Sequence, residues 1–156
     1  MFELFIAMIE KPLVTVITVC YNAVSLIEKT IRSVLAQQYE HIEYVVVDGG
    51  STDGTIEIIR KYEAHISHWI TEQDEGIYDA MNKGVAMATG EWCIFLNAGD
   101  TFAADDVLNR VFQVPREADV IYGDVVKNGT VKVAEPPHNS HRMYFCHQSC
   151  LTRTAC

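Results

Sequence analysis

Three short polar segments hold the residues of this chain best suited to chemistry: Cys20-Tyr21-Asn22, Asp48-Gly49-Gly50 and Asn97-Ala98-Gly99-Asp100. Each follows an apolar run, rich in β-branched residues in the first two cases. Gly49, Gly50 and Gly54 after a strand first suggest a dinucleotide loop. The spacing is not G-x-G-x-x-G, because Asp48 opens the loop and Ser51-Thr52-Asp53 fill it. The glycines suit tight turning and close backbone approach, and Asp53 suits the N-cap of the helix that follows. No Gly-Lys-Ser/Thr run is present, which excludes a Walker-type phosphate loop. His138, His141, Cys146 and Cys150 are zinc-ligand types, but they form no paired Cys-x-x-Cys knuckles, so structural zinc is disfavoured.

The elements that must position these segments alternate along the chain. Leu13 to Cys20 and Ile42 to Asp48 are dense enough in β-branched residues for buried strands. Between them, Ser25 with Glu28 makes a capping-box pattern, and Ile27, Ile31, Val34 and Leu35 share one helical face. A helix is expected over residues 55–64, a short strand over 66–70, a helix over 77–88 and a buried strand over 91–97. In the 77–88 helix, Ile77, Met81, Gly84, Val85 and Ala88 are expected to face the sheet, with Asp79, Asn82 and Lys83 opposite. A helix over 105–112 then leads to strands over 119–127 and 130–135, joined by the hairpin signal Asn128-Gly129. Strands alternating with helices predict a single α/β domain over residues 1–156, with a mostly parallel sheet covered on both faces and a C-terminal hairpin. Ligands in such folds sit at the carboxyl ends of the strands, where all three polar segments fall.

Bulk properties limit the ligand further. The 156 residues carry a net charge of −9, which argues against binding a nucleic-acid backbone, since that needs clustered Lys and Arg. An acidic chain that holds a diphosphate needs a cation between the two. The opening MFELFIAMIEK is broken by Glu3, closed by Glu10 and lacks a preceding basic region, so it does not read as a signal peptide. No run approaches the roughly 20 apolar residues of a spanning helix. The five cysteines are an odd set, with Cys20 and Cys93 inside apolar runs, and suit reduced buried thiols in a cytoplasmic protein.

The runs VTVITVCYNA, SVLAQQYEHIEYVVVDGGSTDGT and DEGIYDAMNKGVAMATGEWCIFLNAGD, in this order, resemble the family-2 glycosyltransferases. The resemblance spans residues 12–100 and implies a GT-A-type fold and a nucleotide-diphosphate-sugar donor, with UDP favoured. It implies that Tyr21 packs beside the nucleobase, with Thr18 and Asn22 in the same segment, and that Asp48 accepts from a base ring N–H. Asp74, Asn82 and Lys83 are implied near the sugar and diphosphate, where a lysine can neutralise phosphate.

Asn97-Ala98-Gly99-Asp100 stands at the family's Asp-x-Asp signature and departs from it, keeping only Asp100 as a carboxylate. Asp100 is the implied ligand of Mn²⁺ or Mg²⁺, and Asn97 takes a place that contacts ribose or metal. One carboxylate is workable, because Mg²⁺ is often held by one or two carboxylates plus substrate phosphates and water. His147 resembles a position near the active site that can approach the metal. An inverting transfer needs a base for the acceptor hydroxyl. Relatives carry it on a later segment, which makes this chain read as truncated after its donor-binding part. Asp124 is the best remaining candidate for that base. The acceptor expected by analogy is a glycan or lipid-linked saccharide, reached from the cytoplasm with at most peripheral membrane contact. Two other readings are a nucleotide-binding module without catalysis, and a nucleotidyltransferase. The latter wants a basic phosphate loop near the first strand, which Cys20-Tyr21-Asn22-Ala23 does not provide.

Overall fold

The structure, a computed structural model, describes residues 11–113, 118–134 and 150–154. Strands β1 (Val14–Cys20), β2 (Ile42–Asp48), β3 (His68–Thr71) and β4 (Trp92–Phe95) form the parallel part of a six-stranded sheet. The sheet order is β3-β2-β1-β4-β8-β5, with β5 at Val120–Tyr122 and β8 at Cys150–Arg153 running antiparallel between β4 and β5. A separate hairpin pairs β6 (Val125–Lys127) with β7 (Thr130–Lys132). The order turns back at β1: β2 and β3 lie on one side, β4 on the other. The carboxyl ends of β1 and β4 therefore flank the crevice where such folds take their ligands.

All seven residues of β1 are buried, and alternate side chains feed two cores. Val14, Val16 and Cys20 join Tyr44, Val46, Trp92 and Ile94 on the face covered by α1 (Ile27–Leu35), α2 (Thr55–Lys61) and α4 (Val107–Val111). Ile17 and Val19 join Val45, Val47 and Cys93 on the face covered by α3 (Ile77–Met87). Burying each such aliphatic side chain contributes roughly 1.5–3 kcal/mol. At the amino end of the sheet, the buried Glu43 accepts from Thr15 Oγ1, Thr89 Oγ1 and the Thr89 and Gly90 amides, tying the α3–β4 turn to β1 and β2.

Several local expectations are corrected. Ser25 caps nothing: the residue before α1 is Leu26, and Glu28 instead accepts from Arg32, Lys61 and Tyr62, bridging α1 to α2. The residue before α2 is Gly54, at φ 101°, although Asp53 Oδ1 still accepts the Thr55 amide at 3.1 Å. In α3 the face toward the sheet is set by small residues. Ala80 and Gly84 are buried, whereas Ile77 and Val85 are exposed. A Cβ on Gly84 would overlap Ile17 Cγ2, so the helix sits as close to β1 as its backbone allows. The strand expected over 119–127 breaks at Gly123-Asp124 into β5 and β6. Strand β8 carried no sequence signal beyond Leu151, its one buried residue. His138, His141, Cys146 and His147 lie outside the described residues, as does Glu135 at the end of the second expected hairpin strand.

Candidate functional site

The three polar segments do converge on the carboxyl edge of the sheet. Cys20 and Asp48 are register partners on β1 and β2. The β4 segment joins them through Leu96 N to Ile17 O at 2.9 Å and Ala98 N to Val19 O at 3.1 Å.

The β1–α1 and β2–α2 loops are stitched into one unit. Asn22 N donates to Ser51 Oγ at 2.7 Å, and Thr52 N returns to Asn22 Oδ1 at 2.9 Å. Ala23 N donates to Thr55 Oγ1 at 2.8 Å, and Val24 N to Asp53 Oδ2 at 3.0 Å. Asn22 takes a left-handed φ of 46°, tolerable for asparagine. Its side chain thus serves the loop. The result is a rigid platform from which Tyr21 projects with 64% of its surface exposed. An exposed ring on a fixed backbone is a ready stacking surface for a flat base.

Two residues expected to touch the nucleotide are enclosed by the protein. Thr18 is fully buried; its hydroxyl donates to Leu96 O at 2.8 Å and lies 3.1 Å from Tyr44 Oη. Asp48 is also fully buried. Its Oδ2 accepts from Gly50 N at 3.1 Å, Ser51 N at 2.9 Å and Thr71 Oγ1 at 2.6 Å. Its Oδ1 accepts from Ser51 Oγ and lies 3.6 Å from Cys20 Sγ. Burial, then the neighbouring Asp48 charge, push the Cys20 thiol well above its ordinary pKa, so it stays protonated and donates.

Asp74 sits above this edge, half-buried, with Oδ1 accepting Gly76 N at 2.9 Å. Lys83 is pinned rather than free: Nζ lies 3.0 Å from both Glu72 and Asp79 and 3.2 Å from Gln73 O. Hydrogen bonds to Glu72 and then Asp79 raise its pKa, so it is a fixed cation that orders the 72–79 segment. Asn82 is exposed on α3, about 200° around the helix from the sheet-facing Ala80.

The 97–100 turn is held by residues the sequence did not single out. Thr30 of α1 is fully buried, and its hydroxyl accepts from Gly99 N at 2.9 Å and donates to Asp100 O at 2.8 Å. Ser33 Oγ accepts Phe102 N at 2.7 Å, and Gln37 Nε2 donates to Ala104 O at 2.6 Å. Thr30 and Ser33 are neighbours three apart on α1 and Gln37 follows just past its end, and that polar spacing was the available signal. Gly99 takes φ 101°, a turn that favours glycine.

Two groups in this turn are left for a ligand. Asn97 Oδ1 is buried without a hydrogen-bond partner among the described residues. The Asp100 carboxylate likewise has no donor among them, since its bonds run through its backbone. No group of three or more His, Cys, Asp or Glu residues able to hold a metal occurs among the described residues. A cation here would therefore take few protein ligands. Asp124 follows β5, which runs parallel to β4 with β8 between them, so it stands at the same edge roughly 10 Å across. Its Oδ1 accepts Ala134 N at 2.9 Å. A surface hollow beside Lys11, Gln38, Asn109 and Arg110 lies at the opposite, amino end of β1 and contains none of these residues. No helix among the described residues is long and apolar enough to cross a membrane.

Comparisons with known proteins agree with this arrangement. A family model described as glycosyl transferase family 2 matches residues 15–154. A PGL/p-HBAD biosynthesis glycosyltransferase of Mycobacterium tuberculosis is 33% identical over 152 residues, covering 91% of this chain and 59% of that protein. The chain thus spans little more than half of that relative. Among solved structures, the mannosyltransferase PcManGT from Pyrobaculum calidifontis, in complex with GDP-Man and Mn²⁺, is 30% identical with a TM-score of 0.65, covering 72% of this chain and 35% of that one. TarS 1-349 of S. aureus, in complex with UDP, is 25% identical with a TM-score of 0.76, covering 92% and 47%. The architecture is that of the GT-A glycosyltransferases.

Proposed function

The chain belongs to glycosyl transferase family 2, and on that premise we propose that the carboxyl edge of β1, β2 and β4 binds the nucleotide-diphosphate-sugar donor of a glycosyl transfer. The observation that carries this reading is a pair of acceptors without partners among the described residues, Asn97 Oδ1 and the Asp100 carboxylate, one strand from the exposed Tyr21 ring. Tyr21 stacks on the base, Asn97 meets the ribose or the cation, and Asp100 holds Mn²⁺ or Mg²⁺ against the diphosphate. One carboxylate, phosphate oxygens and water suffice for such a site. Bound there, the cation would stabilise charge on the departing diphosphate as a Lewis acid.

The residues of this chain do the rest of the positioning. The stitched loops hold Tyr21, and Thr30 fixes the turn that presents Asp100. Lys83, neutralised by Glu72 and Asp79, orders the segment that bears Asp74 and does not itself meet phosphate. The donor is UDP-linked, for which the UDP held by TarS offers support; the GDP-Man of PcManGT keeps the guanine alternative in the test. The acceptor is a saccharide or glycolipid, its hydroxyl deprotonated in an inverting displacement, with Asp124 the described carboxylate on that side. Incubation with UDP-sugars and GDP-mannose, with and without Mn²⁺, reads nucleoside diphosphate release. The anomeric configuration of any product, read by NMR, tests inversion. Metal-dependent binding without release favours the non-catalytic module, and no binding of either nucleotide overturns the reading.

A further inference from the structure

We infer that the β6–β7 hairpin is a membrane-docking element, which lays three exposed valines on an anionic lipid bilayer and sets two lysines among its headgroups. The turn builds the hairpin. Asn128 and Gly129 take φ 52° and 73°, the two successive left-handed positions of a tight hairpin turn. Val126 then stands opposite Val131, Val125 opposite Lys132 and Lys127 opposite Thr130. Side chains alternate across a strand, so Val126 and Val131 share one face while Lys127 and Lys132 lie on the other. Val133, one residue past β7, continues the valine face.

Two strands cannot bury a face by themselves. Val126 and Val131 are each 56% exposed and Val133 is 71% exposed. No strand of the main sheet pairs with the hairpin. Such a hairpin is marginal in water until its apolar face is covered.

The charge of the hairpin indicates what covers it. Residues 125–133 contain two lysines and no Asp or Glu, in a chain of net charge −9. Neither lysine has an ion pair or hydrogen bond among the described residues. Arg32, Lys61, Lys83, Arg110 and Arg153, by contrast, are all paired with carboxylates. Acidic residues farther off than about 8–10 Å are screened at physiological salt, so the two lysines set the local field. A second copy would bring the same positive charge to the contact. Protein partners are held mainly by aromatic and arginine anchors, and residues 125–133 contain neither. A bilayer needs no such anchors. Apolar side chains enter the boundary between headgroups and acyl chains, and flexible lysine stems reach back to the phosphates.

The hairpin leaves β5 through Gly123-Asp124, and the bond from Ala134 N to Asp124 Oδ1 closes its base. It therefore springs from the carboxyl edge of the sheet, on the side of Asp124. On the glycolipid-acceptor reading above, the acceptor hydroxyl would arrive from the surface beneath the valines. Docking itself does not depend on that reading.

Partitioning onto phosphatidylcholine vesicles with and without phosphatidylserine, at low and high salt, tests this on the full chain. The variants are Val126→Ser/Val131→Ser, Lys127→Gln/Lys132→Gln and, as an exposed apolar control on α3, Val85→Ser. Circular dichroism melts and light scattering check folding and oligomeric state. The wild type should bind phosphatidylserine vesicles more tightly than neutral ones, with the difference lost at high salt. The lysine variant should weaken binding to phosphatidylserine vesicles about 30-fold, the scale of two surface charges, and leave neutral vesicles unchanged. The valine variant should weaken binding to both compositions about 10-fold, and Val85→Ser should match the wild type. No vesicle binding by the wild type, or equal binding by the wild type and both hairpin variants, would overturn the inference. So would a valine variant that melts earlier or dissociates a dimer while vesicle binding holds, since the face would then be covered by protein. None of these outcomes touches the donor reading, which UDP titration without vesicles tests separately.

Discussion

Thr30→Val replaces one hydroxyl with a methyl of the same shape, in a position with no solvent exposure. Two hydrogen bonds go with it: Gly99 N at 2.9 Å loses its acceptor, and Asp100 O at 2.8 Å loses its donor. Each bond contributes about 0.5–1.5 kcal/mol net, so a loss of about 2 kcal/mol of stability is expected. For a chain of this length that lowers Tm by about 4–8 °C. The functional effect is distinct from the thermal one. The turn loses its tie to α1, and the Asp100 carboxylate loses its fixed aim at the diphosphate. The Mn²⁺-dependent gain in UDP affinity should therefore drop about 10-fold, about 1.4 kcal/mol, while UDP binding without metal holds. Thr30→Ser keeps the hydroxyl and should restore most of the metal-dependent gain. Differential scanning calorimetry and UDP titrations at several Mn²⁺ concentrations measure both effects. A Thr30→Val protein with the wild-type metal response would refute the reasoning, leaving the bonds of Leu96 and Ala98 to β1 sufficient to hold the turn.

Other expectations concern the platform and the scaffold. Tyr21→Ala should weaken UDP by about 1–3 kcal/mol through lost stacking, with Tm nearly unchanged because the ring is 64% exposed. Gly84→Val should cost about 1–3 kcal/mol in a denaturant titration, because the added atoms meet Ile17 against a closely approached strand. Glu43→Gln should lower Tm at pH 7 and flatten the acid limb of the stability profile. Burial disfavours the Glu43 charge, but the donors from Thr15, Thr89 and Gly90 outweigh it and hold the pKa below the usual carboxylate value. A depressed folded pKa gives stability that is present above the unfolded value of about 4.3. That stability is lost as pH falls through the folded value. The wild-type advantage over Glu43→Gln should shrink as pH is lowered below the unfolded value; thermal melts with a constant gap as pH falls would contradict it.

The sequence carried the strands and the edge they share more clearly than the roles along that edge. VTVITVC and IEYVVVD could be read as buried strands because apolar and β-branched residues dominate them, Glu43 and Asp48 being the exceptions, and parallel strands covered on both faces need that composition. The face of α3 was read only in part: Met81, Gly84 and Ala88 do pack toward the sheet, but hydrophobicity also favoured Ile77 and Val85, which are exposed. Close packing on β1 instead selects the smallest side chains, Ala80 and Gly84. Ser25 and Glu28 have capping-box spacing, but Lys61 and Tyr62 of the neighbouring helix outcompete the backbone for that carboxylate, a tertiary contact invisible in a local window. Asp48 and Thr18 lie where a ligand was expected, and only coordinates reveal that their polar atoms are spent within the protein. Thr30 was hidden for the converse reason: a threonine on a helix looks ordinary until its partners, about 70 residues away in sequence, are known.

Isothermal titration of UDP with and without Mn²⁺, in the wild type and in Asp100→Ala, tests the central claim most directly. Asp100 lies on a turn held by Thr30 and has no side-chain bond of its own among the described residues to lose, so the variant should fold normally. The account predicts that Mn²⁺ tightens UDP binding in the wild type and has no such effect in Asp100→Ala, while metal-free binding stays the same in both. An equal Mn²⁺ response in the two proteins would contradict the assignment of the cation, and with it the donor site as built here from Tyr21, Asn97 and Asp100.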